Sequence, residues 1–122
     1  MQIRVKGIEG LFRLSKPEVA LFAEKGYVEE KAAFESGTFG YVVTSTDAAK
    51  MSADFMNGII TLFVPERLLQ QWASTDLVGL DVTMPVKDGN DVYILLEKDF
   101  KCIEAIDAKD QSDYFENPSK SC

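Results

Sequence analysis

The stretch that decides the fold is residues 14–28, LSKPEVALFAEKGYV, because a similar stretch, VPERLLQQWASTDLV, follows at residues 64–78. Residues of comparable character stand at the same offsets in both copies. They are Leu14, Ser15, Val19, Phe22, Ala23, Gly26 and Val28 in the first copy and Val64, Pro65, Leu69, Trp72, Ala73, Asp76 and Val78 in the second. Apolar residues at helical spacing, followed by an apolar strand start, predict a helix leading into a strand in each copy.

The ends of the first helix are strongly marked. Ser15 stands three residues before Glu18, which is the spacing of a capping box. Leu14 before the cap and Val19 inside the helix have the spacing of a hydrophobic staple. Gly26 is a suitable C-terminal cap because glycine adopts positive φ without strain. The sequence therefore predicts a helix between Ser15 and Gly26.

A hairpin is predicted on each side of each helix. Gly7-Ile8 suits a type II′ turn, which places Lys6 opposite Glu9 and Ile3 opposite Phe12. In the second copy the preferred type I′ pair Asn57-Gly58 stands at the corresponding place. Alternating apolar residues after each helix predict a second hairpin, and they align Tyr93 with Tyr41 after a two-residue insertion in the turn. Each half therefore reads hairpin, helix, hairpin.

These patterns predict a single α+β domain over residues 1–103, made of two repeats at residues 1–46 and 51–99. About eight mostly antiparallel strands would roll into a barrel-like or two-layer sheet with two helices. Phe22 and Trp72 would contribute most to the shared core, because aromatic side chains bury the largest areas. A duplication explains the repeated order of elements. The alternative is the accidental similarity that any α+β chain shows.

Composition restricts the classes of function. The net charge of −7 argues against nucleic acid and anionic lipid as partners. No apolar run has the length of a membrane span or of a signal peptide, so we expect a cytoplasmic protein. The chain has no histidine, which removes the usual general base and the commonest metal ligand. No P-loop, dinucleotide-binding glycine pattern or EF-hand loop is present, and we expect no cofactor.

The C-terminal segment, residues 104–122, has a different composition. Its acids recur every three residues, at Glu104, Asp107, Asp110, Asp113 and Glu116. This spacing could attract calcium, but it is also typical of a solvated acidic face. The adjacent aromatics Tyr114 and Phe115 favour a strap that docks on the domain over a loose tail.

The sharpest charged cluster is Glu97-Lys98-Asp99, at the end of the last predicted strand. By alternation, Glu97 shares a face of that strand with Tyr93 and Leu95. If this face is the core side, Glu97 lies at the mouth of the core and could act as a general acid or base. The alternative is a strand that ends in solvent with its charges exposed.

Two cysteines, Cys102 and Cys122, are the remaining candidate ligands. They could supply two thiolates to a zinc site, although a structural zinc site has four ligands and their spacing is not a zinc spacing. The alternative is one packed thiol and one terminal thiol.

Three segments resemble a family of small bacterial proteins of unknown function: SKPEVALFAEKGYVEE, YILLEKDFKC and DYFENP. The family pattern is S-x-x-E-V, G-x-V-E-E, I-L-x-E-K-D-F-x-C and F-x-N-P, and the similarity covers nearly the whole chain. Glu116 replaces a proline of the family's last motif. The resemblance implies a bacterial source and favours the docked strap, but it implies no activity. It also directs attention to Glu97, Lys98, Asp99, Phe100 and Cys102.

We expect a non-catalytic cytoplasmic module that binds an unknown protein or small molecule. The alternative is a small enzyme or ligand-binding protein that uses Glu97, Lys98 and Asp99, with or without a metal. Exposed edge strands could also pair between chains, so the chain could form a homo-oligomer.

Overall fold

The computed structural model describes residues 1–100, which form eight strands and two helices in the order hairpin, helix, hairpin, repeated once. The elements of the first half are β1 (Gln2–Lys6), β2 (Glu9–Leu14), α1 (Lys16–Lys25), β3 (Tyr27–Phe34) and β4 (Gly37–Thr46). Those of the second half are β5 (Ser52–Met56), β6 (Ile59–Pro65), α2 (Glu66–Ser74), β7 (Gly79–Pro85) and β8 (Asp91–Lys98). The predicted α+β class, with eight strands and two helices, is confirmed.

The strands form two four-stranded sheets with the orders β1-β2-β8-β7 and β3-β4-β6-β5. Each sheet consists of two antiparallel hairpins joined at its centre by a parallel pair, β2 with β8 or β4 with β6. Among residues 1–100 the sheets do not close into a barrel. Each sheet takes one hairpin from each half of the chain. A helix of nine or ten residues separates the two hairpins of a half and carries the chain from one sheet to the other.

The first hairpin has the predicted register, and the third has the predicted turn. Lys6 lies opposite Glu9 and Ile3 opposite Phe12. In the third hairpin, Asn57 and Gly58 have φ angles of 53° and 79°, and a type I′ turn requires positive values at both positions. A Cβ at Gly58 would stand 2.5 Å from the main-chain oxygen of Thr38, so this position also requires the absence of a side chain.

Helix α1 has the predicted caps. The Ser15 amide donates to Oε1 of Glu18 at 2.8 Å, and the Glu18 amide donates to Oγ of Ser15 at 3.4 Å. At the other end, Gly26 has φ of 75° and its amide donates to the oxygen of Phe22. Strand β3 therefore begins immediately after the helix.

Helix α2 ends differently. No side chain caps its N-terminus at Pro65, and its C-terminal cap residue Thr75 is extended. Nζ of Lys98 donates to the oxygen of Thr75 at 2.7 Å and so satisfies one carbonyl at the helix end. Four residues then lead to β7, and the alignment of Asp76 with Gly26 is wrong because this connection is longer than the one after α1.

Backbone hydrogen bonds identify the residues that correspond between the two halves. The Ser45 amide donates to the oxygen of Gly26 at 2.9 Å, and the Lys98 amide donates to the oxygen of Val78 at 3.0 Å. Val78 therefore takes the place of Gly26 directly before the first strand of the second hairpin in its half.

A second pair of hydrogen bonds fixes the last strands. The Gly40 amide donates to the oxygen of Gly58, and the Tyr93 amide donates to the oxygen of Ile8, both at 2.9 Å. Tyr93 thus corresponds to Gly40, and the alignment of Tyr93 with Tyr41 is wrong by one residue. Such a slip exchanges the two faces of a strand.

The core lies between the sheets and the helices. Phe22 and Trp72 are both fully buried, as predicted from the helix pattern. The other members of the core come from every hairpin, from both helices and from the segment before β5: Phe12, Leu14, Val19, Val28, Val43, Met51, Leu62, Val64, Leu69, Ile94 and Leu96.

Candidate functional site

The described chain has a cleft of about 380 Å³ along β1, which we call the arginine cleft. Its lining contains two of the three arginines of the sequence and no carboxylate. The lining residues are Met1, Gln2, Ile3, Arg4, Leu11, Arg13 and Tyr41.

The first hairpin places both arginines on one face. Gln2 pairs with Arg13 and Arg4 pairs with Leu11, and directly opposed residues of an antiparallel pair lie on the same side of the sheet. Phe12 lies between Leu11 and Arg13 and points into the core. The arginines are therefore on the outer face of the sheet, beside its edge strand β1.

Arg13 is held by Glu97. Its Nε and Nη2 donate to the same oxygen, Oε1 of Glu97, at 2.9 and 2.6 Å. Arg13 and Glu97 are neighbours on the parallel strands β2 and β8. A guanidinium has five N–H donors, so Arg13 keeps further donors for another acceptor.

Arg4 is exposed on the edge strand. Within residues 1–100, no carboxylate lies within 4.0 Å of its guanidinium. The cleft therefore combines one arginine that is fixed by a carboxylate with another that no described residue neutralises.

Tyr41 closes the cleft from the other sheet. Its hydroxyl donates to the main-chain oxygen of Met1 at 3.4 Å, and partial burial, assisted by the carboxylates of Glu30 and Glu18, raises the pKa of its phenol. The hydroxyl is therefore a proton donor at neutral pH. The negative charges near Tyr41 make this end of the cleft a poor place for an anion.

The lining of the cleft defines the ligand that it suits. Arg4 and Arg13 provide charged donors for a carboxylate or phosphate at one end. Leu11, on the same face as the arginines, and Ile3, which lies opposite Phe12 on the other face of the hairpin, add apolar atoms to the lining. A ligand with an anionic group next to an apolar or aromatic group is complementary to this arrangement.

The structure separates the three side chains of the predicted Glu97-Lys98-Asp99 cluster. Ile94 and Leu96 are buried, so the face shared by Tyr93, Leu95 and Glu97 is the outer face and not the core side. The hypothesis that places Glu97 at the mouth of the core is wrong in its geometry, because the strand alternates in the opposite phase.

Lys98 and Asp99 have other contacts. Nζ of Lys98 lies 5.8 Å from the ring centroid of Trp72, besides its hydrogen bond to Thr75. Asp99 is exposed, and its amide donates to the oxygen of Leu14 at 2.8 Å. Lys98 thus stabilises the end of α2, whereas Glu97 orients an arginine of the cleft.

The two candidate cysteine ligands, Cys102 and Cys122, and the predicted strap at residues 104–122 lie outside the described residues. In the part of the chain that the structure covers, no three acidic, cysteine or histidine side chains are grouped as metal ligands.

Sequence reasoning missed the arginine cleft. The register of the first hairpin was predicted, and it is sufficient to place Arg4 and Arg13 on one face. The contribution of Tyr41 depends on the packing of one sheet against the other, which no local pattern indicates. The pairing of Arg13 with Glu97 spans 84 positions and required the parallel pairing of β2 with β8.

Comparison with known proteins gives one match. The model of a family of unknown function, DUF7009, matches residues 1–119. The chain belongs to this family. The DUF7009 match includes the whole described domain and most of the C-terminal segment, so both are features of the family's sequence pattern. Neither the curated proteins nor the solved structures contain a match.

Helices α1 and α2 of this DUF7009 member have ten and nine residues. Within residues 1–100, no helix combines the length and the apolar character needed to cross a bilayer.

Proposed function

We propose that the chain is a non-catalytic binding module that takes an acidic, aromatic-containing peptide in the arginine cleft. The observation that carries this proposal is the presence of Arg4 and Arg13 in one cleft whose lining, within residues 1–100, has no carboxylate, on a chain of net charge −7. The phenol of Tyr41 and the apolar side chain of Leu11, which lies on the same face as the arginines, suit an aromatic side chain next to the anionic group.

The roles of Glu97 and Lys98 favour binding over catalysis. The Glu97 carboxylate accepts two hydrogen bonds from Arg13, and the Lys98 ammonium donates to a helix end. Both groups therefore support neighbouring structure, and their side chains leave the strand on opposite faces.

The experiment is an NMR titration of the full chain with the acetylated and amidated tetrapeptide Asp-Tyr-Phe-Glu. We expect chemical shift changes at Gln2, Arg4, Leu11, Arg13 and Tyr41. Arg4→Ala should weaken binding about tenfold or more, because a hydrogen bond to a charged group contributes about 1.5–3 kcal/mol. Shift changes that avoid these residues, or an affinity that is unchanged in Arg4→Ala, would contradict the proposal.

The matched control is Arg67→Ala. It removes the same charge from an exposed position on α2 that does not line the cleft. The affinity of this variant should remain within about twofold of the wild-type value, since the loss of a distant exposed charge is screened by salt. Equal losses in both variants would indicate general attraction by charge and no defined site.

We also infer that the two halves arose by duplication. This is supported by the strand orders. Hairpin β1-β2 of one sheet corresponds to hairpin β5-β6 of the other, and β3-β4 corresponds to β7-β8, so both sheets have the same order of equivalent strands. The two pairs of corresponding backbone hydrogen bonds, at Gly26 and Val78 and at Gly40 and Tyr93, are further support. A superposition of residues 1–46 on residues 51–99 with these correspondences tests the inference.

Three broader expectations stay predictions: a bacterial source, a cytoplasmic location and self-association. Within residues 1–100 the edge strands, where pairing between chains could occur, are β1 and β7 in one sheet and β3 and β5 in the other. Sedimentation equilibrium of the purified full chain would test self-association.

A further inference from the structure

The described chain ends close to the arginine cleft. The Asp99 amide donates to the oxygen of Leu14, which directly follows Arg13, and Arg13 pairs with Gln2 of β1. The C-terminus of β8 and the N-terminus of β1 therefore lie at the same end of one sheet. Residues 101–122 continue from this end.

The continuing segment carries the chemistry that the cleft suits. Between residues 104 and 116 it has five carboxylates, one lysine and the adjacent aromatics Tyr114 and Phe115. The sequence Asp113-Tyr114-Phe115-Glu116 places carboxylates on both sides of the aromatic pair. The charge of this segment is opposite to that of the cleft.

The length of the segment is sufficient. Strand β8 is separated from β1 by β2 alone, which corresponds to about 10 Å at the usual spacing of strands. The five residues from Asp99 to Glu104 can span up to about 17 Å when extended. The acidic residues can therefore reach the cleft without any change in the sheets.

From these relationships we propose that the acidic C-terminal segment, residues 104–116, occupies the arginine cleft of its own chain. This inference rests on the proposed function, because it names an internal ligand for the same site. The carboxylates of Asp113 and Glu116 contact the guanidinium groups of Arg4 and Arg13, and the Tyr114-Phe115 pair covers the apolar side chain of Leu11 beside them. An external acidic peptide then has to displace the segment.

Attachment to the domain makes even a weak contact effective. A short flexible connection gives an effective concentration in the millimolar range, so an intramolecular contact can be populated where a free peptide of the same sequence binds weakly. Neutralising the segment should therefore raise the apparent affinity for the external peptide several-fold.

The first experiment places a spin label within the segment of the full chain. The variant Ser112→Cys, with Cys102→Ser and Cys122→Ser, carries a nitroxide beside the aromatic pair. We expect paramagnetic broadening of the amide signals of Arg4, Leu11 and Arg13. It should be lost when Asp110→Asn, Asp113→Asn and Glu116→Gln are added. An absence of broadening at the cleft in the labelled chain overturns the proposal.

Mixing identifies the source of the broadening. Spin-labelled chains without isotope are mixed with isotope-labelled chains without the spin label. The mixture is compared with the chain that carries both the spin label and the isotope. Equally strong broadening of the cleft signals in the mixture assigns the segment to a second copy, which overturns the intramolecular contact. Broadening restricted to the chain that carries the label supports it.

A second experiment needs no label. The unmodified chain and the Asp110→Asn, Asp113→Asn, Glu116→Gln variant are each titrated with the tetrapeptide Asp-Tyr-Phe-Glu. Tighter binding to the variant supports displacement of the segment. Equal binding overturns the internal contact and leaves the proposed function standing. Broadening at the cleft without peptide binding to either chain leaves the internal contact standing and overturns the external ligand.

Discussion

One oxygen of the Glu97 carboxylate accepts two hydrogen bonds from the guanidinium of Arg13, from Nε at 2.9 Å and from Nη2 at 2.6 Å. The two side chains are 30% and 21% exposed and lie on adjacent parallel strands. The pair joins the first hairpin of the chain to the last. It also fixes the orientation of an arginine that lines the cleft.

Glu97→Gln should separate the stabilising role of this pair from its effect on the cleft. The amide can still accept one hydrogen bond, so we expect the variant to lose about 1 kcal/mol of stability in urea unfolding. Its affinity for the tetrapeptide Asp-Tyr-Phe-Glu should rise a few-fold, because no carboxylate then competes for Arg13. Glu24→Gln is the control, since Glu24 is 72% exposed on α1. A weaker affinity in Glu97→Gln would show that the carboxylate positions Arg13 for the ligand and does not compete with it.

Trp72 is the side chain whose loss should cost the most stability. It is fully buried, and its Nε1 donates to the oxygen of Val78 at 2.9 Å. Trp72→Ala should cost about 3–5 kcal/mol, the range for emptying a large core site. Trp72→Phe should cost less, about 1–2 kcal/mol, because the oxygen of Val78 also accepts from the Lys98 amide and keeps a partner.

Urea midpoints of the two Trp72 variants at constant denaturant slope measure these costs. An unchanged midpoint for Trp72→Ala would refute the packing of α2 through Trp72 into the core. A Trp72→Phe cost equal to that of alanine would show that the indole hydrogen bond outweighs the apolar contacts.

The local features of this fold could be predicted from the sequence. Ser15 and Glu18 predict the start of α1, and Asn57 with Gly58 predicts a type I′ hairpin, because each depends on contacts between residues close in the chain. The spacing of Phe22 and Trp72 was sufficient to place both in the core, since an amphipathic helix buries one face.

The arrangement of the hairpins could not be read in the same way. Parallel pairing of β2 with β8 joins residues more than 80 positions apart, and no turn chemistry marks it. The backbone correspondences align Gly26 with Val78 and Gly40 with Tyr93, so the last hairpin contains one residue more than β3 and β4 before this point. This extra residue reverses the alternation of β8 and places Tyr93 and Glu97 on the outer face. The sequence identified Glu97 as a candidate site residue. Its contact with Arg13 could not be predicted, because it depends on this distant pairing of strands.

Gly26 is predicted to be the least replaceable residue at the end of α1. Its φ of 75° is disfavoured for residues with a Cβ, and a Cβ there would stand 2.8 Å from Oγ of Ser45. Gly26→Ala should therefore cost about 1–2 kcal/mol, the penalty for a left-handed conformation in an L-residue. Gly37→Ala is the matched control, because a Cβ at Gly37 would meet nothing within 4 Å. Equal urea midpoints for the two variants would contradict this account of the helix end.

The capping box of α1 should make part of the stability dependent on pH. Partial burial of Glu18 would raise the pKa of its carboxyl, but hydrogen bonds from the amino group of Met1 and from the amide and hydroxyl of Ser15 outweigh burial, so the pKa is lowered. A carboxyl with a lowered pKa in the folded state stabilises the protein above its unfolded pKa of about 4.3. This contribution is lost as the pH falls through the lower value of the folded state. Glu18→Gln should therefore lose about 0.5–1 kcal/mol at neutral pH.

Below about pH 3 the difference between wild type and Glu18→Gln should largely disappear, since the wild-type carboxyl is then being protonated as well. Urea unfolding at the two pH values gives the comparison. Glu24→Gln on the last turn of the same helix should lose nothing at either pH, because a carboxylate near the C-terminus of a helix is not stabilised by the helix dipole. A loss in Glu18→Gln that persists undiminished in acid would show that the side chain stabilises α1 through packing and that its charge contributes nothing.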